Sequence, residues 1–149
     1  MHVQVLYQSR KNTKKAAEAI AQALGVSAQG IQQADFSQKT DLLFLGFGIY
    51  AGHPPRELTA FLSRLTPEQV SRVALFTTSA SGNDQTGAVR GQLTAQGVPV
   101  AEKAFCGRGS FLFMNKDEPS AETLAAARAF ALDAVRDAKN AAEKQAPGA

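Results

Sequence analysis

The 149-residue chain has no tryptophan, one cysteine, two histidines and two tyrosines. Each scarcity removes a class of chemistry. A lone cysteine, Cys106, cannot close an internal disulfide, which agrees with a reducing compartment and a cytoplasmic location. One cysteine and two histidines support neither a zinc site nor a Cys-His nucleophile, so neither metal ligands nor catalytic residues are expected. No apolar run approaches the roughly 20 residues of a membrane span. The start Met1-His2-Val3-Gln4-Val5 lacks the charged and apolar regions of a signal peptide, and no membrane partner is expected. Charge is also modest: a net +3 with a pI near 9.2 favours anionic ligands without pointing to nucleic acid. Most of the nine phenylalanines sit in apolar runs such as Leu42-Leu43-Phe44-Leu45, which read as core rather than as base-stacking platforms.

What remains is a chain with 44% apolar residues, enough for one core. A single domain is expected over residues 1–142, with 143–149 as a frayed tail. Short apolar runs alternate with amphipathic stretches, the pattern of a parallel α/β sheet. The expected strands are 3–7, a nearly unbroken apolar run at 41–46, then 72–78 and 98–106, with a short edge strand somewhere in the Gln-rich segment 26–40. Residues 13–24 read as a helix stopped by Gly25. Pro54-Pro55 opens a second, with Leu58, Phe61, Leu62 and Leu65 on one face. A weaker helix over 84–96 contains Gly87 and Gly91. Ser120 can cap a long last helix with the stripe Leu124, Ala127, Ala131, Val135 and Ala138. Five strands with intervening helices form a doubly wound sheet, whose ligands bind beyond the carboxyl ends of the strands.

Three loops at those ends carry the informative residues. The first, Gln8-Ser9-Arg10-Lys11-Asn12-Thr13, places hydroxyl and amide side chains at a helix N-terminus, where unpaired N–H groups and the helix dipole favour an anion. Arg10, Lys11, Lys14 and Lys15 oppose that dipole unless an anion lies among them; the plain alternative is that Asn12 or Thr13 caps the helix and the cations are solvated. The second loop, Gly46 to Pro55, has three glycines in seven residues, so its backbone can approach a ligand closely. The third, Thr77-Thr78-Ser79-Ala80-Ser81-Gly82-Asn83-Asp84, offers small hydroxyl donors or is simply a turn with Asn83 or Asp84 as helix cap.

In this order the loops resemble those of the flavodoxin family. Ser9 and Asn12-Thr13 are similar to its phosphate loop, with Lys11 where that family has glycine. Ile49-Tyr50-Ala51-Gly52-His53-Pro54-Pro55 resembles its flavin-flanking loop, the third loop stands where the other side of the ring is held, and Phe105-Cys106-Gly107-Arg108-Gly109-Ser110-Phe111 is similar to a segment after the last strand. The resemblance implies a flavodoxin-like doubly wound five-stranded parallel sheet, strand order 2-1-3-4-5, with helices on both faces. It also implies FMN as cofactor, held by Ser9, Arg10, Lys11, Asn12 and Thr13 at the phosphate and by Tyr50, Ala51, Gly52, Thr77, Thr78, Ser79 and Gly82 around the ring. Tyr50 would stack on the flavin or else plug the core edge. The Ala51-Gly52 peptide matches the one that in that family turns its carbonyl toward the flavin. His53 and Arg108 read as solvated loop residues and Cys106 as a buried strand-end thiol. Leu6-Tyr7-Gln8 offers no acidic residue, which removes a phosphoacceptor domain of the same strand order.

The resulting expectation is a flavoprotein of electron transport, an electron carrier rather than a stand-alone oxidoreductase. Its partner is a redox protein or a reduced nicotinamide donor. The rival is a flavin-free module of the same fold that binds another phosphorylated ligand or an acidic protein.

Overall fold

The computed structural model describes residues 1–8, 11–49, 54–109 and 117–145. Five strands, β1 (Val3–Gln8), β2 (Ala28–Gly30), β3 (Leu42–Gly48), β4 (Val73–Ser79) and β5 (Phe105–Arg108), alternate with helices α1 (Asn12–Leu24), α2 (Arg56–Leu62), α3 (Gly87–Ala95) and α4 (Ala121–Gln145). All pairings are parallel and the order is β2-β1-β3-β4-β5, as expected. Strand order therefore reverses between β1 and β3, which opens a crevice at their carboxyl ends.

Alternation along each strand divides the core into two faces. Leu6, Leu43, Leu45, Phe47 and Leu75 meet Leu58, Phe61, Leu62 and Leu65 of the α2 segment and Val89 and Leu93 of α3. On the other face Val5, Phe44 and Phe76 meet Ala16, Ala17 and Ile20 of α1 and Ala127, Ala131, Ala134 and Ala138 of α4. Bulk comes from both layers on the first face and chiefly from the sheet on the second. The fully buried β3 and β4 explain the unbroken apolar run in the sequence: a central parallel strand has no solvent side.

Several boundaries differ from expectation for local reasons. β3 runs to Gly48, so Gly46 is in the sheet and not in a ligand loop. A Cβ on Gly46 would fall 2.1 Å from the Phe76 ring, so its missing side chain makes room for a core aromatic. The single strand expected over 98–106 is broken: Val73 pairs with Pro99 and Ala101, exposed Glu102 and Lys103 leave the sheet, and β5 starts only at Phe105. α2 closes at Leu62 in tighter turns, Arg64 and Leu65 bonding to Phe61 and Leu62, although Leu65 remains buried. α3 starts at Gly87 rather than residue 84, because the Asp84 carboxylate accepts from Thr86 N at 2.9 Å and Thr86 Oγ1 at 2.7 Å and holds a turn there. In α4 the stripe turns slightly, burying Ala134 while Val135 and Leu124 lie at its flank. Ser120 Oγ accepts from Thr123 N at 3.2 Å, the expected cap. Residues 143–145, read as the start of a tail, belong to α4. Among the described residues no helix is long and apolar enough to cross a membrane.

Candidate functional site

At the carboxyl end of β1, helix α1 begins without a side-chain cap, and no acidic residue lies in its first turn. Asn12 and Thr13 are inside the helix, so neither is its cap. Lys11, Lys14 and Lys15 are exposed around this end. Three cations against the positive pole of a helix raise its electrostatic energy and leave a strong anion-attracting field. Thr13 is 0% exposed and its Oγ1 lies 2.7 Å from Thr78 Oγ1, a buried bond that ties the first turn of α1 to the end of β4.

The β4 end is built inward. Thr77, Thr78 and Ser79 are the last residues of the strand, not of a loop, and all three are buried. Each hydroxyl is engaged within the protein: Thr77 with Cys106, Thr78 with Thr13, and Ser79 Oγ as acceptor from Gly82 N at 3.0 Å. Gly82 has φ +71 and a Cβ there would fall 2.9 Å from Arg108 Cγ, so an L side chain is disfavoured twice, by backbone and by space. Arg108 is thus the last residue of β5, exposed at its tip, with its stem lying over the β4 loop. Gly109 is similarly close to Asn12: a Cβ would fall 2.6 Å from Asn12 Nδ2. The β5 exit, the β4 loop and the α1 N-terminus therefore form one rim.

Electrostatics at the rim follow from these contacts. Burial pushes the Cys106 thiol above its ordinary value, the Thr77 hydroxyl works against that rise, and the Asp84 carboxylate adds to it. Cys106 is half-buried, and this upward shift makes it a poor nucleophile. The Thr86 backbone N–H and then its hydroxyl hold the Asp84 carboxyl below the usual range. The Thr123 hydroxyl and the Ser120 N–H do the same for Glu118 before α4.

Among the described residues, two buried side-chain atoms have no hydrogen-bond partner, Gln8 Oε1 and Gln85 Oε1. Both are acceptors at the carboxyl end of the sheet, Gln8 as the last residue of β1 and Gln85 after β4. Such orphans are uncommon in folded proteins, and their position agrees with a ligand crevice. Gln8 Nε2 donates to Glu57 Oε2 in the first turn of α2 at 3.0 Å. Of the residues expected at the site, the structure brings Lys11, Asn12, Thr13, Thr77, Thr78, Ser79 and Gly82 to this end of the sheet. Ser9, Arg10, Tyr50, Ala51 and Gly52 lie outside the described residues, as does His53. Gln8, expected at the head of the first loop, is instead the last residue of β1; Glu57 and the rim position of Arg108 were not expected, since each depends on a partner distant in sequence.

No protein-family model and no curated protein matches the chain. Solved structures do. A flavodoxin from the domain Archaea superimposes with a TM-score of 0.72 at 15% identity, covering 93% of this chain and 99% of the other. The oxidised flavodoxin 2 of Bacillus cereus gives 0.68 at 18% identity, covering 89% and 96%. The fold is flavodoxin-like. The same flavodoxin-like unit occurs inside a larger chain, the rubredoxin oxygen:oxidoreductase of Desulfovibrio gigas. That match has a TM-score of 0.69 at 17% identity, over 97% of this chain and 37% of the other.

Proposed function

We propose that the protein binds FMN at the carboxyl end of its sheet and serves as an electron carrier. The observation that carries this reading is the start of α1: three lysines, no acid and no side-chain cap, at the point where strand order reverses. A phosphate there satisfies the open N–H groups and removes the conflict between the lysines and the helix dipole. Lys11 and Asn12, with Ser9 and Arg10, hold the phosphate, while Thr13, fully buried and bonded to Thr78, supports them from beneath. Tyr50, Ala51 and Gly52 on one side and the segment from Thr77 to Gly82 on the other flank the ring. The bound flavin supplies the one- and two-electron chemistry; the protein sets its position and electrostatic surroundings. The Thr13–Thr78 bond holds the phosphate end and one ring-flanking strand in fixed relation. The electron donor is a redox protein or a reduced nicotinamide, and the role is that of a carrier rather than a stand-alone oxidoreductase.

Titration of the apo-protein with FMN and riboflavin tests this. FMN quenches on binding and raises the melting temperature, by about 2.7 kcal/mol of added stability at a hundredfold excess over Kd, and riboflavin does so much less. Equal responses to the two ligands remove the phosphate role of the α1 terminus. No response to either leaves the flavin-free module. Lys11→Gly weakens FMN binding, more at low salt than at high, because an exposed charge is screened by ions. Tighter binding by this variant at both salts means that Lys11 obstructs the loop instead.

A further inference from the structure

Gln8 is the last residue of β1 and pairs in register with Phe47 of β3, so it stands on the floor of the crevice between the two strands. Its neighbours along the chain lead into the α1 terminus; β3 leads into the segment that holds Tyr50. The side chain lies on the face covered by α2, where its Nε2 donates to Glu57. A carboxylate can only accept. Glu57 therefore orients the amide, taking its N–H side and turning Oε1 away, into a place sealed from solvent where no protein donor reaches it. A buried acceptor left open in this way destabilises the protein unless something donates to it.

We infer that Gln8 is a ligand-binding residue, with Oε1 accepting a hydrogen bond from a hydroxyl of the polyol chain that joins phosphate to ring, and with Glu57 as the residue that positions it. The inference rests on the FMN reading and adds a requirement to it. With the phosphate at α1 and the ring beyond β3 and β4, the crevice floor at β1 faces the middle of the ligand. The group needed there is a donor, and the polyol is the part of FMN that carries hydroxyls. A ligand with a phosphate and an aromatic ring but an all-carbon linker would leave Oε1 open.

The test compares FMN with lumiflavin, which has the same ring without polyol or phosphate, by flavin fluorescence in titrations of apo-protein. Gln8→Met keeps the volume and removes the acceptor. The expected result is a Kd for FMN raised about tenfold, equivalent to about 1.4 kcal/mol, with lumiflavin binding unchanged and the melting temperature of the apo-protein unchanged or higher, since an open buried acceptor has been removed. An unchanged Kd for FMN overturns the inference. An equal loss for both ligands, or a lowered melting temperature without ligand, also overturns it, because the residue is then structural. Glu57→Ala, on an exposed residue, is the second variant: a twofold to fivefold rise for FMN alone supports the positioning role, and no change overturns it. Failure of the wild type to bind FMN sinks the functional reading itself, and this inference with it. Binding by the wild type with no effect of Gln8→Met sinks the inference alone.

Discussion

Two glutamines on one strand show how differently the two ends of the sheet are finished. Gln4 and Gln8 lie on the same face of β1, four residues apart. Near the amino end, Gln4 Nε2 donates to Asp35 O at 2.7 Å and to Thr40 Oγ1 at 2.6 Å, while its Oε1 accepts from Asp35 N at 3.3 Å. His2 N donates to Asp41 Oδ2 at 2.6 Å beside it. Both ends of the Gln4 amide are satisfied, and the edge segment 31–40 is pinned to β1. At the carboxyl end Gln8 has one end of its amide bonded and the other open. Among the described residues the open buried side-chain acceptors, Gln8 Oε1 and Gln85 Oε1, are both at the carboxyl end.

Gln4→Leu offers the largest effect. It removes three bonds, of which the two to exposed Asp35 can be replaced by water, and leaves the buried Thr40 hydroxyl without its donor, so the expected loss is about 1–3 kcal/mol, read as a lower urea midpoint with an unchanged m-value. FMN affinity should stay the same, the mirror image of Gln8→Met. A loss of flavin binding in Gln4→Leu, measured where the variant is fully folded, would erase the distinction between the two ends.

Next in size is the hydroxyl pair beneath the rim. Thr13→Val and Thr78→Val each strand one buried hydroxyl and should destabilise by about 1–2 kcal/mol, whereas the double variant loses both partners and should fall short of the sum. FMN binding should weaken in each single variant, since α1 and β4 are no longer tied. Strict additivity would mean that the two hydroxyls find separate partners and do not couple the ligand's two ends.

Most of the fold was legible because periodicity is a local signal. The apolar runs at β3 and β4, the Leu58-Phe61-Leu62-Leu65 stripe and the alanine face of α4 all report burial directly. The departures come from partners that a linear reading does not join. Gly46 looked like loop glycine until Phe76, on the next strand, was seen to fill its side-chain space. The interruption before β5 reflects Pro99 and two exposed charges competing with an apolar pattern. At the site, the hydroxyls of Thr77, Thr78 and Ser79 were recognisable as a cluster, but their partners Cys106, Thr13 and Gly82 were not. Gln8 read only as the first residue of the first loop; its meaning depends on Glu57, 49 positions away.

The smallest effect is on acid stability, and it separates Asp84 at the rim from the amino end. The Thr86 N–H and hydroxyl stabilise the ionised carboxylate, so its folded pKa lies below the ordinary 3.8. A carboxyl lowered on folding contributes stability above its unfolded pKa, and that contribution is lost as pH falls through the folded value. Stability from this source is therefore constant from neutrality down to about pH 5 and falls below about pH 4. Asp84 is largely exposed, which keeps the effect small. Asp84→Asn keeps an oxygen that can accept from Thr86, so at pH 7 it should lower stability by less than about 1 kcal/mol, and its melting temperature should fall less steeply between pH 5 and 3 than that of the wild type. Asp35 at the amino end is also lowered, by Ser37, so Asp84→Asn flattens only part of the acid limb. The same variant should alter flavin affinity at neither pH, because Asp84 acts on the turn that precedes α3 and its bonds run to Thr86. An acid limb identical to that of the wild type would mean that the Asp84–Thr86 turn is equally formed in the unfolded chain.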